Sequence, residues 1–419
     1  MFTLNDQRSR TASLRTAVLG GLLLFTAFAS DARAQQAGIS SPGQLMGSNL
    51  GQVTRFDNAF NPAISFAVDF VLDYVDFDGG SQDGLDTNAR RAELLLADWI
   101  DPNAFSWITI AYEGEEIVLD EAAIEYVGLP GNHSLRAGRF FLDFGKQMQN
   151  HIEELRTTER PLVLRDYLGE ELAADGLQWD YWTPTGDASL VRWSVGAFGD
   201  LSGGGHGHGE EEGHEPELEV ADRKEVSDIG FTGRLTALTE VGRNGTLQGG
   251  VSARYLSDFA LHQETSDVEV EGLSNVIYGL DLTYGWLGDE GMRTWTVGGE
   301  LLFFDGELSA ELNDNGTPGD TTDDSLDVFD DSVVGSYAYV DHRWNRFNSA
   351  GLQYSTIQEP EPGKPRVTEY DAYYTRQLSE FLRLRFGLTF ADFEESEDSV
   401  RFAIQLTGFI GPHGHAVNW

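Results

Sequence analysis

Long segments in which apolar and polar residues alternate are the feature that most constrains the fold of this chain. From Ile64 to Tyr74, apolar side chains occupy every second position, and Ser, Ala and Asp residues stand between most of them. The same period of two runs through residues 276–286, 382–390 and 400–406. Because successive side chains of a β-strand point to opposite faces, this period predicts strands with one apolar face and one polar face.

Sixteen strands are predicted from such segments. Most exceed the roughly 5–6 residues of ordinary strands and reach the roughly 9–11 that a tilted strand needs to cross a bilayer. Short connections alternate with long ones, which is typical of barrels with short periplasmic turns and long external loops. The predicted fold is all-β, a transmembrane antiparallel β-barrel of about 16 strands over residues 64–419. The segments are 64–77, 89–100, 105–115, 118–127, 133–141, 176–184, 188–198, 226–238, 246–257, 275–287, 292–304, 333–344, 348–358, 367–377, 380–391 and 398–410.

The N-terminal residues have the composition of a secretory signal peptide. Three arginines precede an apolar run at 17–28, and an A-x-A cleavage site ends at Ala34. The run is too short for a membrane-spanning helix, which needs roughly 20 residues. We expect residues 1–34 to be cleaved and residues 35–63 to form a periplasmic lead-in. The mature chain is expected in the outer membrane of a Gram-negative bacterium.

The charge balance bears on what the chain can bind. It has 69 acidic and 28 basic residues, a formal net charge of −41, and lysine only at Lys146, Lys224 and Lys364. Such a field repels nucleic acid and attracts cations. Because the sequence contains no cysteine, disulfides cannot contribute to its stability.

The connection between the fifth and sixth predicted strands, residues 142–175, is long and dense in charges of both signs. Its position and length match those of the inward-folded loop of general porins, where charges inside a low-dielectric tube set ion selectivity. We predict that it constricts a pore; the alternative is a solvated external loop. The predicted constriction residues are Asp143, Lys146, Glu153, Glu154, Arg156, Glu159, Arg160, Arg165, Asp166, Glu170 and Glu171.

The alternation also predicts the lumen wall. A charge on the lipid face costs roughly 2–4 kcal/mol at the bilayer midplane, so the polar face of each strand is expected to line the interior. Arginines opposite an acidic loop would create a transverse field, or would serve only to pin the loop. The predicted wall residues are Arg234, Arg254, Asp281, Glu300, Glu369, Asp371, Arg383, Arg385 and Arg401.

Two further connections are rich in metal-binding residue types. Residues 199–225 contain a Gly-rich run with His206, His208 and His214, whose imidazoles suit Zn²⁺, although a hydrated surface loop explains the run equally well. Residues 305–332 carry many acidic residues and no basic one. This composition suits Ca²⁺ or Mg²⁺, but a solvated acidic loop is the favoured interpretation. No required cofactor is expected, only divalent-metal binding on external loops.

One block of the sequence resembles a known family. The stretch from Leu135 to Pro184, above all LRAGRFFLDFGK and ERPLVLRDYLGEELAADGLQWDYWTP, is similar to outer-membrane porin-like proteins related to the phosphate-selective porins O and P. Residues 60–65 and 408–415 fit the same group. The resemblance implies a sixteen-stranded barrel, a homotrimer and passive solute passage. Phosphate selectivity in that family rests on lysine-rich lumen rows that three lysines cannot supply, so it is not expected here.

These observations predict an outer-membrane porin for the passive diffusion of small hydrophilic solutes or ions, weakly selective or cation-preferring. Its partners would be outer-membrane lipid, lipopolysaccharide and the solutes. The alternative is an outer-membrane barrel that binds or takes up a divalent metal such as zinc. The sequence has no P-loop, nucleophile elbow or H-E-x-x-H motif, so enzymatic activity is not expected.

Overall fold

The computed structural model describes residues 62–77, 83–113, 116–169, 171–199, 217–219, 229–263, 268–288, 291–313, 325–394 and 396–411. The signal peptide, the lead-in as far as residue 61 and the residues His206, His208 and His214 lie outside these ranges. Statements about them therefore stay predictions.

β-strands form most of the described chain. In chain order they are β1 (Ala63–Phe77), β2 (Gly84–Asp101), β3 (Ala104–Glu113), β4 (Glu116–Tyr126), β5 (His133–Phe141), β6 (Ala173–Pro184), β7 (Ser189–Phe198), β8 (Glu217–Glu219), β9 (Gly230–Val241), β10 (Gly245–Gln263), β11 (Val268–Gly288), β12 (Arg293–Asn313), β13 (Ser325–Asn345), β14 (Asn348–Gln358), β15 (Arg366–Gln377), β16 (Leu382–Phe393) and β17 (Ser399–Ile410). A 3₁₀ turn (Ile152–Glu154) and the helix α1 (Leu162–Leu168) lie between β5 and β6. Among the described residues, no helix has the length and hydrophobicity to cross a bilayer.

The strands belong to one antiparallel sheet that closes on itself. Successive strands pair along the chain, and β1 pairs with β17, where Asp69 lies opposite Thr407. The three-residue β8 pairs with β10 at Ala260–His262, while β7 pairs directly with β9. The sixteen long strands therefore form a closed barrel, and the predicted fold class is confirmed.

The two faces of the barrel wall differ as the alternation predicts. On β1, Val68 and Phe70 are each 38% exposed, whereas Asp69 between them is 1% exposed. On β11, Leu282 is exposed and the adjacent Asp281 is buried. A closed sheet pairs its backbone groups between strands, which is what a hydrocarbon environment requires. Apolar side chains thus cover the outside of the wall, and the interior holds the polar side chains together with buried apolar ones such as Trp107 and Leu302.

Four strands are longer than the sequence analysis predicts. β10 to β13 have 19 to 21 residues each, so much of the predicted loops 258–274 and 305–332 is strand. The acidic segments 305–313 and 325–332 are the paired ends of β12 and β13. At the end of β12, Glu307 and Glu311 stand on the outer face, while Leu308 and Ala310 are buried, so the polar face is the outer one here. The prediction of a continuous loop over 305–332 is therefore wrong.

The connections sort to the two ends of the barrel, because neighbouring strands are antiparallel. Those from β2 to β3, from β9 to β10 and from β13 to β14 are tight turns at one end, which we name the turn rim. The connections from β5 to β6 and from β7 to β9 are much longer and leave the wall at the opposite end, the loop rim. This asymmetry is the one that the sequence predicts for a membrane barrel.

Leu282 tests the assignment of the outer face to hydrocarbon. Its side chain is 52% exposed, and along β11 it lies between the outward-facing Tyr278 and Tyr284. Leu282→Arg should lower the free energy of unfolding in lipid vesicles by about 2–4 kcal/mol, because a charge near the midplane loses its hydration. Urea titration of the refolded protein measures this change. The control Leu282→Phe should change it by less than about 1.5 kcal/mol; equal effects of the two variants would contradict the assignment.

Candidate functional site

The segment between β5 and β6, residues 142–172, lies inside the barrel, and we name it the inward loop. Leu142, Phe144 and Met148 are fully buried. Near its end, the hydroxyl of Tyr167 on α1 donates to the carbonyl of Gln358 on β14, at 2.7 Å. The loop also contacts β2, β7, β9, β10, β12 and β15 to β17. Because these strands stand around the whole wall, the loop crosses the lumen.

A glycine and a carboxylate fix the point at which the loop turns inward. Gly145 has a φ of +59°, and a Cβ atom at this position would lie 2.0 Å from Oε2 of Glu300. Oε1 of Glu300 accepts hydrogen bonds from the backbone N–H groups of Lys146 and Gln147, at 2.8 and 3.0 Å. The hydroxyl of Tyr337 donates to the same oxygen at 2.6 Å. Only a residue without a side chain allows the backbone to approach this carboxylate so closely.

Asp143 anchors the start of the loop to two wall arginines. Its Oδ2 lies 2.8 Å from Nη2 of Arg192, and its Oδ1 lies 3.4 Å from Nε of Arg234. Each arginine also pairs with a wall carboxylate, Asp180 or Asp281. Burial alone would raise the pKa of the Asp143 carboxyl, but the two guanidiniums hold that pKa below its usual value. The carboxylate therefore stays ionised inside the barrel.

A second anchor holds the middle of the loop on the opposite side. Oε1 of Glu159 lies 2.7 Å from Nη1 of Arg401 and 3.2 Å from Nη1 of Arg90. Burial works against the charge, yet these arginines keep the pKa of Glu159 below its usual value. Nearby, Arg385 donates to the carbonyl of Thr157 at 2.7 Å. Arg165 of the loop also forms an ion pair with Glu369 on β15, with 2.7 Å between Nη2 and Oε2.

The predicted wall residues all lie on the interior face of the sheet. Arg234, Arg254, Asp281, Glu300 and Arg385 are buried, and the other four are half-buried. Six of the nine contact the inward loop directly. These six are Arg234, Glu300, Glu369, Arg383, Arg385 and Arg401. In these contacts the arginines pin the loop, which was one of the two roles that the sequence left open.

Sequence reasoning missed several interior residues on the first strands. Asp69 and Arg90 form an ion pair at 2.5 Å beside the second anchor, and Arg91 pairs with Glu171 at 2.9 Å. Asp69 and Arg91 stand at inward-facing positions of the alternation on β1 and β2, so this pattern could have predicted them. His151 of the loop was also missed because a lone histidine has no pattern. Of the predicted constriction residues, Glu170 lies outside the described ranges.

Two cavities flank the inward loop inside the barrel. The cavity towards the loop rim has a volume of about 580 Å³, and Glu159 and Arg165 of the loop contribute to its lining. The cavity towards the turn rim has a volume of about 490 Å³, and Glu154 and Arg156 contribute to it. No residue lines both cavities. The inward loop lies between the two cavities and presents a carboxylate and a guanidinium to each.

The first anchor is tested by Asp143→Asn. Because Arg192 and Arg234 each keep another carboxylate, we expect a loss of roughly 1–3 kcal/mol of unfolding free energy at neutral pH. The lowered pKa means that this contribution is present above the usual pKa of an aspartate, about 4, and is lost as the pH falls through the folded-state value. Unfolding titrations between neutral and acidic pH measure both effects. Asp187→Asn, on an exposed turn, is the control, and a variant with unchanged pH dependence would argue against the anchor.

Comparison with other sequences gives one distant relative. No protein-family model matches the chain. A protein of Aquifex aeolicus strain VF5, described as uncharacterized, is 27% identical over 340 residues, which cover 78% of this chain and 69% of the relative. This similarity leaves the narrower resemblance to porins O and P a prediction.

Solved structures resemble the barrel over most of its length. An anion-selective porin from Comamonas acidovorans has a TM-score of 0.53 at 10% identity, covering 84% of this chain and 99% of the porin. The outer membrane channel DcaP of Acinetobacter baumannii has a TM-score of 0.51 at 12% identity and covers 85% and 99%. OprB of Pseudomonas putida has a TM-score of 0.51 at 10% identity and covers 84% and 94%. At these identities the likeness concerns the fold alone: the chain has the fold of outer-membrane β-barrel porins.

Proposed function

We propose that this protein is an outer-membrane porin through which small hydrophilic solutes or ions diffuse passively. The observation that carries the proposal is the inward loop, pinned to several sides of the wall with a cavity on each side of it. A wall with an apolar outside and a charged interior suits a water-filled passage through a membrane. We further propose export by the predicted signal peptide and assembly into a homotrimer, as the sequence resemblance implies.

The narrow region of the proposed pore is the middle of the inward loop together with the facing wall. Glu154 and Arg156 face one cavity, and Glu159 and Arg165 face the other. A passing solute would meet carboxylates and guanidiniums at short range in a low-dielectric tube. Such a transverse arrangement favours polar or zwitterionic solutes over apolar ones and gives little net preference for one ionic sign.

We propose that the loop rim adds a preference for cations. Asp327 and Asp330 on β13 are exposed, as is Glu311 on the paired strand β12. Carboxylates grouped at a pore mouth raise the local concentration of cations and lower that of anions. This long-range effect acts before the constriction, where charges of both signs are present.

Single-channel recording in planar bilayers tests the proposed pore. The wild-type barrel should give ohmic channels. Replacing residues 147–160 by a short Gly-Ser linker should raise the single-channel conductance several-fold, because the loop is the narrowest part of the path. If neither the wild-type barrel nor the variant conducts, the porin proposal fails.

An engineered disulfide provides the matched control. Cβ of Thr158 lies 3.7 Å from the position of a Cβ atom at Gly387 on β16, and disulfides have a Cβ–Cβ distance of about 3.8 Å. The pair Thr158→Cys and Gly387→Cys is introduced into a chain without other cysteines. The oxidised pair should hold the loop inward and keep the wild-type conductance. A conductance abolished by oxidation and restored by reduction would mean that the loop must leave the lumen for the pore to open.

Substitution at the loop rim tests the proposed cation preference. Asp327→Asn combined with Asp330→Asn should lower the cation-to-anion permeability ratio, and this effect should shrink as salt rises, because exposed charges are screened. Reversal potentials under a salt gradient measure the ratio. Asp101→Asn combined with Asp187→Asn removes two exposed charges at the turn rim instead and should change the ratio less. Equal changes in the two double variants would contradict a role for the loop rim.

A further inference from the structure

A histidine of the inward loop lies among buried carboxylates at the wall. Nδ1 of His151 is 3.1 Å from Oε2 of Glu93 on β2, and Nε2 of His151 is 3.7 Å from Oε2 of Glu121 on β4. Glu153 of the loop completes the group: one ligand atom each from Glu93, His151 and Glu153 lie within 4.8 Å of one another. All four side chains are buried. The ring of Phe141 packs edge-on against the imidazole, with ring centroids 4.7 Å apart, and holds its orientation.

The contact between Glu93 and His151 has the spacing of two ligands rather than the geometry of a hydrogen bond. Neither Oε2 of Glu93 nor Nδ1 of His151 makes a hydrogen bond with any other described atom, although the two atoms are 3.1 Å apart. Ligands that bind a tetrahedral zinc ion at about 2.0–2.1 Å stand about 3.3 Å from each other. Oε2 of Glu93 also lies 3.3 Å from Nε of Arg91, and because Glu93 is 2% exposed, water has little access to this oxygen. The two atoms lie close enough together to bind one ion.

The charge around this group also calls for a cation. Glu93, Asp120 and Glu171 share the guanidinium of Arg91, and Arg160 lies 3.7 Å from Glu171. Glu121 and Glu153 bring the carboxylates of this set to five. The basic groups beside these five carboxylates are the guanidiniums of Arg91, Arg160 and Arg383, whose charge acts on Glu153, and the imidazole of His151. Buried carboxylates need compensating positive charge, and a divalent cation bound here would add to what the guanidiniums and the imidazole supply.

We propose that Glu93, His151 and Glu153 bind a divalent transition-metal ion such as zinc inside the barrel. Imidazole nitrogen together with carboxylate oxygen is a donor set that zinc and its neighbours accept. Nδ1 of His151 would be the ligand atom. Nε2 points towards Glu121, which matches the carboxylate that commonly orients a metal-binding histidine from behind. Three protein ligands leave one position for water.

The ion would tie the inward loop to the wall. Glu93 belongs to β2, while His151 and Glu153 belong to the loop, so a common ion joins the two. Arg91, Asp120 and Ile152 line the loop-rim cavity directly beside the group, which gives a route of entry. This site differs from the predicted surface histidines at 206, 208 and 214. Nor does it depend on the proposed porin function, because binding is measured on the detergent-solubilised barrel.

The experiment is a zinc titration in a background that lacks His206, His208 and His214. The full-length mature protein carrying His206→Gln, His208→Gln and His214→Gln is freed of metal with a chelator and titrated with Zn²⁺ by calorimetry. One Zn²⁺ per chain should bind. His151→Gln and Glu93→Gln, each added to this background, should weaken binding at least tenfold, because each removes a ligand. His133→Gln is the matched control: His133 stacks on Trp179 at the turn rim, and its loss should leave binding unchanged.

Cobalt gives a second measurement that reports the ligands directly. Co²⁺ bound in the background protein should show the visible absorption bands of a protein-coordinated ion, and His151→Gln should remove them. Folding of each variant is checked by its migration before and after heating, and variants that fail this check are replaced by Glu153→Gln. Absence of saturable Zn²⁺ binding in the background protein would overturn the proposal. Binding that persists unchanged in all folded ligand variants would also overturn it.

Discussion

Closure of the sheet by β1 and β17 is the interaction on which the rest of the structure depends. Without this pairing, two edge strands would expose their backbone N–H and C=O groups to hydrocarbon, where nothing can satisfy them. The register is long: Phe66 to Phe77 pair continuously with Ile410 to Ser399. Closure also creates an interior, and an interior lined by alternate residues of sixteen strands receives every polar side chain that cannot face lipid. The charged lumen follows directly from the apolar exterior.

Charged side chains inside such a barrel destabilise it unless water or side chains of opposite charge surround them. The inward loop brings Asp143 and Glu159 to the wall arginines, and Arg165 to a wall glutamate. Wall and loop thus compensate each other, and each would leave buried charges without the other. The region around His151 differs, because the carboxylates there outnumber the guanidiniums and the imidazole is an additional basic partner. This local group of carboxylates is the physical reason to propose a cation at that point.

The barrel could be predicted from the sequence because its signal is repeated in every strand. The bounds of β5 (His133–Phe141) and β14 (Asn348–Gln358) agree with the predicted segments residue for residue. The ends of β10 to β13 were not predicted, because their polar face is the outer one and their apolar side chains, such as Phe259 and Leu308, are buried. The register shifts near Phe259 and Ser309 also interrupt the period of two. For the site, the alternation of apolar and polar residues correctly predicted that Glu300 and Arg385 face the interior. Which wall residue meets which loop residue is set by the path of the loop, and no local pattern encodes that path.

The hydrogen bonds that the arginines donate to the inward loop explain why the chain uses arginine far more often than lysine. A loop that crosses a lumen has backbone carbonyls without strand partners, and these need donors from side chains. Arg160 donates to the carbonyls of Gln147 and Asn150, at 2.9 and 2.8 Å, and Arg90 donates to that of Thr158 at 2.6 Å. A planar guanidinium can reach two acceptors while also pairing with a carboxylate, whereas an ammonium acts as a single compact charge. Basic side chains used in this way hold the loop in place and have their charge compensated by neighbouring carboxylates. In the proposed pore they would contribute little net attraction for anions, and the acidic loop rim would set the sign of the ion preference.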